Sequence, residues 1–278
     1  MINTINIKEK QFSVFRIGNP ASKEVILIIG SCRSVPYLNY LDHYNKLNNN
    51  RFLIYFIDPF NYNWDAKENR VDSEAVILGL ETDKNLLDIF ASTKIFIHEY
   101  YANFGMFNTF KDSEKNIYKF GMNPELDITL PNFHDIFIMF NDIAKFDTKI
   151  RGMAEEDFKS HGSLSEQTLQ ELYAISQSNL NKFYSICLKS DFPEMKEYFQ
   201  NNFLTTRFYW TYNHVSKHFT LKLFEWMNER FLHLALPSSY WNFISKEDIF
   251  ANNFTSPTLY DKKFYDYKWN EPLDAFKL

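Results

Sequence analysis

The segment EVILIIGSCRSVPYLNYL at residues 24–41 constrains the fold most, because its hydrophobic pattern changes abruptly within a few residues. Residues 25–29 are an unbroken run of valine, isoleucine and leucine, which is typical of a strand buried on both faces of a sheet. After Gly30 the apolar residues recur at helical spacing, and Ser34 and Pro36 suit the opening of a helix. The segment therefore predicts a strand, a tight turn and a helix in direct succession.

The next apolar runs repeat this alternation. RFLIYFID at 51–58 predicts a second buried strand, which gives a right-handed β-α-β unit with parallel strands. DKNLLDIFAST at 83–93 predicts a helix, and KIFIHEY at 94–100 predicts a third buried strand. NIYKFG and DITLPNF, around the turn MNPE, predict two short strands. We expect an α/β fold: an open, mostly parallel sheet with flanking helices.

The pattern changes after about residue 133, where amphipathic helical segments dominate, the longest beginning after a capping Ser165. We expect one α/β domain over residues 1–278 with a helical insertion in its C-terminal half. The predicted boundaries are a core at 1–135 and 205–236, a helical insertion at about 136–204 and an irregular tail at 237–278.

Composition excludes several classes of protein. The net charge of −5 leaves no basic surplus for a nucleic-acid binder. The longest apolar runs are too short to span a bilayer, and the N-terminal residues lack the pattern of a signal peptide, so we predict a cytoplasmic protein. In that compartment the two cysteines, Cys32 and Cys187, are not expected to form a disulfide, and no spacing of Cys and His predicts a metal site. The oligomeric state is left open.

Cys32 lies where chemistry is expected. It follows the carboxyl end of a parallel strand and precedes the amino end of a helix, and open α/β sheets bind ligands at that edge. The helix terminus offers free N–H groups and a partial positive charge, which lower the pKa of a thiol and stabilise an oxyanion. The alternative is that Cys32 fills the turn as a small buried residue. Cys187, on the apolar stripe of a long helix, is expected to be structural.

A nucleophile needs a base, and His214 has the best context among the seven histidines. It directly follows the strand-like segment RFYWTYN and is predicted to open the last long helix. His98 also ends a predicted strand, next to Glu99. Arg33 and Arg207 are ordinarily surface cations, but both are candidates for binding phosphate.

Four segments in order carry a resemblance to a known family: ILIIGSC at 26–32, IFIHEYYANFG at 95–105, NIYKFG…LPNF at 116–133 and RFYWTYNHVSKHF at 207–219. Their order and spacing resemble the WcbI family of polysaccharide-biosynthesis proteins, which are coenzyme-A-binding acetyltransferases. An early nucleophile and a late histidine also resemble the layout of GDSL-type (SGNH) esterases. The chain departs from the family in two places, with Val215 where a proline is usual and Arg33 where a neutral polar residue is common.

The resemblance implies transfer of an acyl group from acetyl-coenzyme A to a sugar hydroxyl in capsule or other surface-glycan biosynthesis. The acceptor would be a sugar or polysaccharide, and no metal is implied. Cys32 and His214 would be catalytic. The other implied roles are oxyanion or substrate binding for Gly30, Ser31, Asn213, Glu99 and His98, and binding of the cofactor phosphates for Arg33 and Arg207.

Two routes and two rivals stay open. Cys32 either carries the acetyl group as a thioester, with His214 as the base, or only lines a site where His214 activates the sugar hydroxyl. The first rival function is an esterase that acts on glycan esters. The second is a glycan-binding or assembly protein without catalysis. We predict that Cys32 and His214 approach each other at one sheet edge, and that Glu99 or His98 lines the same pocket.

Overall fold

The structure is a computed structural model that describes residues 3–7, 12–57, 64–65, 70–71, 84–100, 121–252, 254–269 and 272–277. The chain divides into two compact units. The first unit comprises Met1–Asn132 and Trp226–Ile244, and the second comprises Phe133–Glu225 and Ser245–Leu278. The single-domain boundaries inferred from the sequence stay a prediction.

The described residues of the first unit form a six-stranded sheet and a small hairpin. The strands, in chain order, are β1 (Asn3–Ile7), β2 (Phe12–Gly18), β3 (Glu24–Ile29), β4 (Phe52–Ile57), β5 (Trp64–Asp65), β6 (Arg70–Val71), β7 (Ile95–Glu99) and β8 (Leu126–Leu130). The sheet order is β1-β2-β4-β3-β7-β8, whereas β5 and β6 pair only with each other.

The sheet is mostly parallel, because β3 pairs with β4 and β7, and β7 pairs with β8, in parallel register. The N-terminal strands extend it by antiparallel pairing, β2 onto β4 and β1 onto β2. Residues 25–29 of the interior strand β3 are at most 4% exposed, which is why that strand is a continuous apolar run rather than an alternating one. The predicted α/β fold class is confirmed.

The described helices flank this sheet or build the second unit. They are α1 (Val35–Leu47), α2 (Lys84–Ser92), α3 (Phe140–Phe146), α4 (Thr148–His161), α5 (Glu166–Lys189), α6 (Met195–Asn202), α7 (Lys217–Met227), α8 (Ser238–Ile244) and α9 (Leu259–Phe264). A short π-helix at Asn228–Leu232 follows α7. The helices α8 and α9 lie in the tail that the sequence analysis expected to be irregular. No helix in these ranges is long and apolar enough to cross a membrane.

A late segment of the chain completes the first unit. In α8 the Tyr240 hydroxyl donates a 2.7 Å hydrogen bond to the carbonyl oxygen of Tyr40 in α1, across 200 positions of sequence. The rings of His43 and Phe243 stack with a centroid distance of 3.8 Å and an interplanar angle of 9°. The outer side of α1 is therefore covered by residues from the C-terminal part of the chain.

The second unit has a core rich in aromatic residues. Phe133 packs with its ring centroid 5.1 Å from Phe183, 5.4 Å from Tyr209 and 6.3 Å from Phe219. The long helix α5 begins as predicted, since the Ser165 hydroxyl accepts a hydrogen bond from the Thr168 N–H at 3.3 Å. Much of the high aromatic content thus serves packing.

Some sequence predictions fall outside the described residues. These are the loop predicted at 100–108 except for Tyr100, the first five residues of the strand predicted at 116–121, and the end of the second strand at Asp58 and Pro59.

Candidate functional site

The order of the parallel strands identifies the edge where a ligand is expected. The parallel strands lie in the order β4-β3-β7-β8. From β3 the chain continues to β4 on one side of β3, whereas from β7, on the other side of β3, it continues away from β3 to β8. The connections after β3 and β7 therefore diverge, and such a switch point opens a crevice beyond the carboxyl ends of the two strands. Residues 30–34 follow β3 and Glu99 ends β7, so the predicted site residues of the first unit gather at this edge.

The turn after β3 has its own local order. Residues Cys32–Ser34 form one turn of 3₁₀-helix, and α1 begins directly after it at Val35. Ser31 caps the short helix, because its hydroxyl accepts the Arg33 N–H at 3.3 Å. Pro36 lies in the first turn of α1, where its missing N–H costs nothing. Ser34 occupies the capping position before α1 but its side chain makes no capping hydrogen bond, which corrects the sequence prediction.

The side chain of Glu99 is the centre of this turn. Its carboxylate accepts hydrogen bonds from the Ser31 N–H at 3.1 Å, from the Ser31 hydroxyl at 3.1 Å and from the Ser34 hydroxyl at 2.5 Å. The Arg33 Nε lies 3.4 Å from Oε2 and forms an ion pair with it. Glu99 is 3% exposed and Arg33 is 5% exposed, so both charges are buried and compensate each other.

Gly30 lets the turn approach this carboxylate. A Cβ at that position would lie 2.2 Å from the Ser34 Oγ and 2.9 Å from the Glu99 Oε1, closer than van der Waals contact permits. The Gly30 N–H donates to the carbonyl oxygen of Ile57 at 3.1 Å. Glycine is therefore required here for space, not for an unusual backbone angle.

These contacts bear on the roles predicted for the turn. The N–H groups of Gly30 and Ser31 are donated within the chain, so an oxyanion at this turn would compete with Ile57 and Glu99 for them. The Arg33 guanidinium is buried against Glu99 rather than displayed for a phosphate. In this structure Ser31 and Arg33 hold the turn in place, and Glu99 is the residue that organises them.

Cys32 is the first residue of the 3₁₀ turn and carries a free thiol. It is partly exposed, whereas Cys187 is completely buried, and neither of the two residues forms a disulfide. Burial raises the pKa of the Cys187 thiol well above its ordinary value. The position predicted for Cys32 is confirmed: it lies between the carboxyl end of β3 and the amino end of α1.

His98 lies on the other face of the sheet from Glu99, because successive side chains of a strand alternate. Its Nε2 is 3.1 Å from the Asp127 Oδ1 and 3.1 Å from the Thr129 Oγ1, both on β8. Its ring stacks on Phe96 at 4.7 Å. His98 is 1% exposed, and its Nδ1 has no hydrogen-bond partner within the described ranges. The structure thus does not bring His98 to the Glu99 carboxylate.

His214 lies in a tight hairpin of the second unit, formed by β9 (Tyr209–Thr211) and β10 (His214–Val215). The prediction that His214 opens the last long helix is wrong, because α7 begins only at Lys217. The Nδ1 of His214 lies 3.3 Å from the Thr211 Oγ1, and its ring stacks on Phe250 at 4.4 Å. The Asn213 Oδ1 accepts the Thr211 hydroxyl at 2.8 Å, so Thr211 ties the two predicted residues together.

Arg207 ties backbone segments of the second unit together. Its Nε donates to the Tyr209 carbonyl at 2.9 Å, and its Nη2 donates to the Thr255 carbonyl at 2.7 Å. The guanidinium lies over the rings of Trp210 and Phe254, at 4.7 Å and 5.2 Å. Burial lowers the pKa of Arg207 but leaves the group charged at neutral pH. These contacts indicate a structural cation, 6% exposed, rather than one displayed for a phosphate.

Cys32 belongs to the first unit and His214 to the second. Their pairing in one site stays a prediction.

The sequence analysis missed two participants. Ser34 was read as a helix cap, although a hydroxyl three positions after Ser31 is also placed to share one acceptor with it. Asp127 was not singled out, although period-2 alternation places it on the same face of β8 as Thr129, the residue opposite His98.

Comparisons with known proteins assign no role to the residues of this site. The chain matches no known family profile, and no curated protein is similar to it in sequence. Across the described residues, no group of three or more His, Cys, Asp or Glu side chains is arranged to hold a metal ion.

Proposed function

We propose that the protein is an O-acetyltransferase that moves an acetyl group from acetyl-coenzyme A to a sugar hydroxyl in surface-glycan biosynthesis. The observation that carries the proposal is the partly exposed thiol of Cys32 at the switch point of a parallel sheet. The resemblance of four ordered segments to the WcbI family supports the choice of donor and acceptor. We expect the reaction in the cytoplasm, where acetyl-coenzyme A is available.

In the covalent route the reaction has two halves. The Cys32 thiolate attacks the thioester carbonyl, a new thioester forms at Cys32, and coenzyme A leaves as its thiol after taking up a proton. The sugar hydroxyl then attacks the acetylated cysteine and gives its proton to a base, for which we propose His214. The ester forms and the Cys32 thiol is regenerated.

In the direct route His214 deprotonates the sugar hydroxyl, which attacks acetyl-coenzyme A itself. Cys32 then only lines the site. The buried contacts of Arg33 and Arg207 argue against both as ligands of the cofactor phosphates, so the proposal assigns that role to neither of them.

Activity of three variants distinguishes the routes. If Cys32 carries the acetyl group, Cys32→Ala abolishes transfer but leaves coenzyme A binding, measured by calorimetry, nearly unchanged. Cys32→Ser then retains a trace, because a hydroxyl is the poorer nucleophile. If transfer is direct, Cys32→Ala keeps most of the activity and His214→Ala alone is severe. A loss of melting temperature without a specific loss of turnover would mean that Cys32 only fills the turn.

Alkylation tests the thiol without a substrate. We expect iodoacetamide to modify Cys32 in the native protein long before Cys187, because Cys187 is fully buried and its pKa is raised. Peptide mass spectrometry identifies the labelled residue, and Cys187→Ala is the matched control. Equal alkylation rates at both cysteines would contradict the proposal that Cys32 is a reactive thiol.

The esterase alternative is decided in the same assay. Release of acetate without an acceptor, from glycan esters but not from acetyl-coenzyme A, would replace transfer by hydrolysis. Failure to bind either coenzyme A or an ester would leave a glycan-binding protein and overturn the proposed function.

A further inference from the structure

The second unit contains a cavity that none of the predicted site residues accounts for. It has a volume of about 360 Å³, which lies within the range of small-molecule sites. Its walls come from both ends of α3, the start of α4, residues 254–255 and the C-terminal tail. The lining residues that matter for recognition are Asp142, Lys145, Arg151, Phe254, Thr255 and Lys277.

Three cations line this cavity, and contacts within the chain order the Arg151 guanidinium and the backbone of Lys277. The Arg151 guanidinium donates through Nε and Nη2 to the carbonyl oxygens of Ala144 and Lys145 at the end of α3, which holds its plane in place. Unlike the buried Arg207, Arg151 is partly exposed, and its Nη1 takes no part in these two bonds. The tail that carries Lys277 is held by Asn141, whose Oδ1 accepts the Lys277 N–H at 2.9 Å. Such prior ordering lowers the entropic cost of binding a ligand.

The charges of the lining favour an anion. Lys145, Arg151 and Lys277 contribute three positive charges, and Asp142 and Asp274 contribute two negative ones, so the lining carries a net charge of +1 (3 − 2). The Lys277 Nζ lies 2.8 Å from the Asp274 Oδ2, and Lys145 is exposed. A phosphate group satisfies several N–H donors at once, and an arginine binds it through two parallel hydrogen bonds.

The rest of the lining suits a hydroxylated ring. Asp142 is 6% exposed, and its Oδ1 already accepts the Thr255 hydroxyl at 3.0 Å. An ionised carboxylate only accepts hydrogen bonds, so its remaining capacity fits the hydroxyl groups of a ligand. Phe254 is 49% exposed, and its ring offers an apolar surface at the cavity.

We propose that this cavity binds a phosphorylated sugar, with the phosphate against Lys145, Arg151 and Lys277 and the sugar hydroxyls on Asp142. The site lies in the second unit and does not depend on the acetyltransferase proposal.

Calorimetry with three probes tests each half of the recognition. Glucose 6-phosphate is expected to bind with saturation, whereas glucose and inorganic phosphate each bind at least about tenfold more weakly, because each makes only part of the contacts. Lys145→Ala is expected to weaken glucose 6-phosphate binding about tenfold, which corresponds to one lost charge-assisted hydrogen bond.

Lys149→Ala is the matched control, since Lys149 is an exposed lysine of α4 outside the cavity lining and its removal changes the net charge equally. It is expected to leave the affinity unchanged. No saturable binding of glucose 6-phosphate up to about 10 mM would overturn the proposal. Equal losses in the Lys145 and Lys149 variants would do so as well, and phosphate binding as tightly as the sugar phosphate would remove the sugar from it.

Discussion

A single buried carboxylate, that of Glu99, organises the turn around Cys32. The Ser31 and Ser34 hydroxyls and the Arg33 guanidinium all bind it, from positions 65 to 68 residues earlier in the chain. In the sequence Glu99 is only one of two polar residues at the end of a strand. Which of them faces α1 depends on the register of β7 against β3, and a one-residue shift of that register would exchange their faces.

Neutralising this carboxylate is expected to destabilise the protein strongly. Glu99→Gln leaves the buried Arg33 without its compensating charge, and we expect a loss of about 3 kcal/mol in the free energy of unfolding. Urea denaturation measures it.

The control is Glu24→Gln, which breaks the exposed ion pair of Glu24 with Arg51. That pair is about half exposed and should contribute less than about 1 kcal/mol. If the two substitutions cost the same, the Glu99 network does not stabilise the turn.

At the scale of elements, the strand–turn–helix unit could be predicted because its information is local. The apolar run of β3, the glycine after it and Pro36 in the first turn of α1 lie within about a dozen residues. The start of α7 could not be predicted in the same way. Helical spacing of apolar residues begins at Val215, but that residue belongs to strand β10 of the hairpin with β9. The helix α7 therefore begins only at Lys217.

The N-terminal strands show the same limitation. β1 and β2 follow no strong hydrophobic pattern; β1 pairs with β2, and β2 pairs with β4, whose sequence lies far downstream. The sequence indicated neither the antiparallel extension of the sheet nor the hydrogen bonds of Arg207 to the Thr255 carbonyl, 48 residues away.

The β3–α1 turn can be tested with two glycine substitutions of opposite expectation. Gly30→Ala forces a Cβ against Ser34 and Glu99, and we expect a loss of about 2 kcal/mol. Gly152→Ala, inside α4 with no atom within 4 Å of the new Cβ, should gain roughly 0.5–1 kcal/mol from helix propensity. Thermal or urea unfolding measures both, and a Gly30→Ala protein as stable as the wild type would contradict the close approach described here.

At the scale of the whole molecule, two buried acids of the second unit, Asp142 and Asp261, contribute to the pH dependence of stability. Burial raises the pKa of Asp142 from 3.8 to about 6, against lowering contributions from Thr255 and Lys145 and a further raising one from Asp261. Burial raises the pKa of Asp261 as well. Between pH 3.8 and about 6, the two pKa values of Asp142, the native state binds more protons than the unfolded chain. The free energy of unfolding therefore decreases as the pH rises through this range.

We therefore expect the free energy of unfolding of the wild type to fall by up to about 3 kcal/mol, relative to that of Asp142→Asn, as the pH rises from about 4 to above 6. Urea unfolding of both proteins across this range measures the difference, which reports Asp142 together with its electrostatic coupling to Asp261 and Arg207. Parallel pH profiles would mean that the Asp142 carboxyl titrates normally in the folded protein.

The hydrogen bond from Tyr240 to Tyr40 has a consequence for the order of events during synthesis. The strands and α1 of the first unit leave the ribosome early, but the residues that cover α1 follow 200 positions later. Until those residues are made, α1 lacks the hydrogen bond from Tyr240 and the stacked ring of Phe243, while all of α3 to α7 is translated. Helix α1 thus obtains these packing partners only long after its own synthesis.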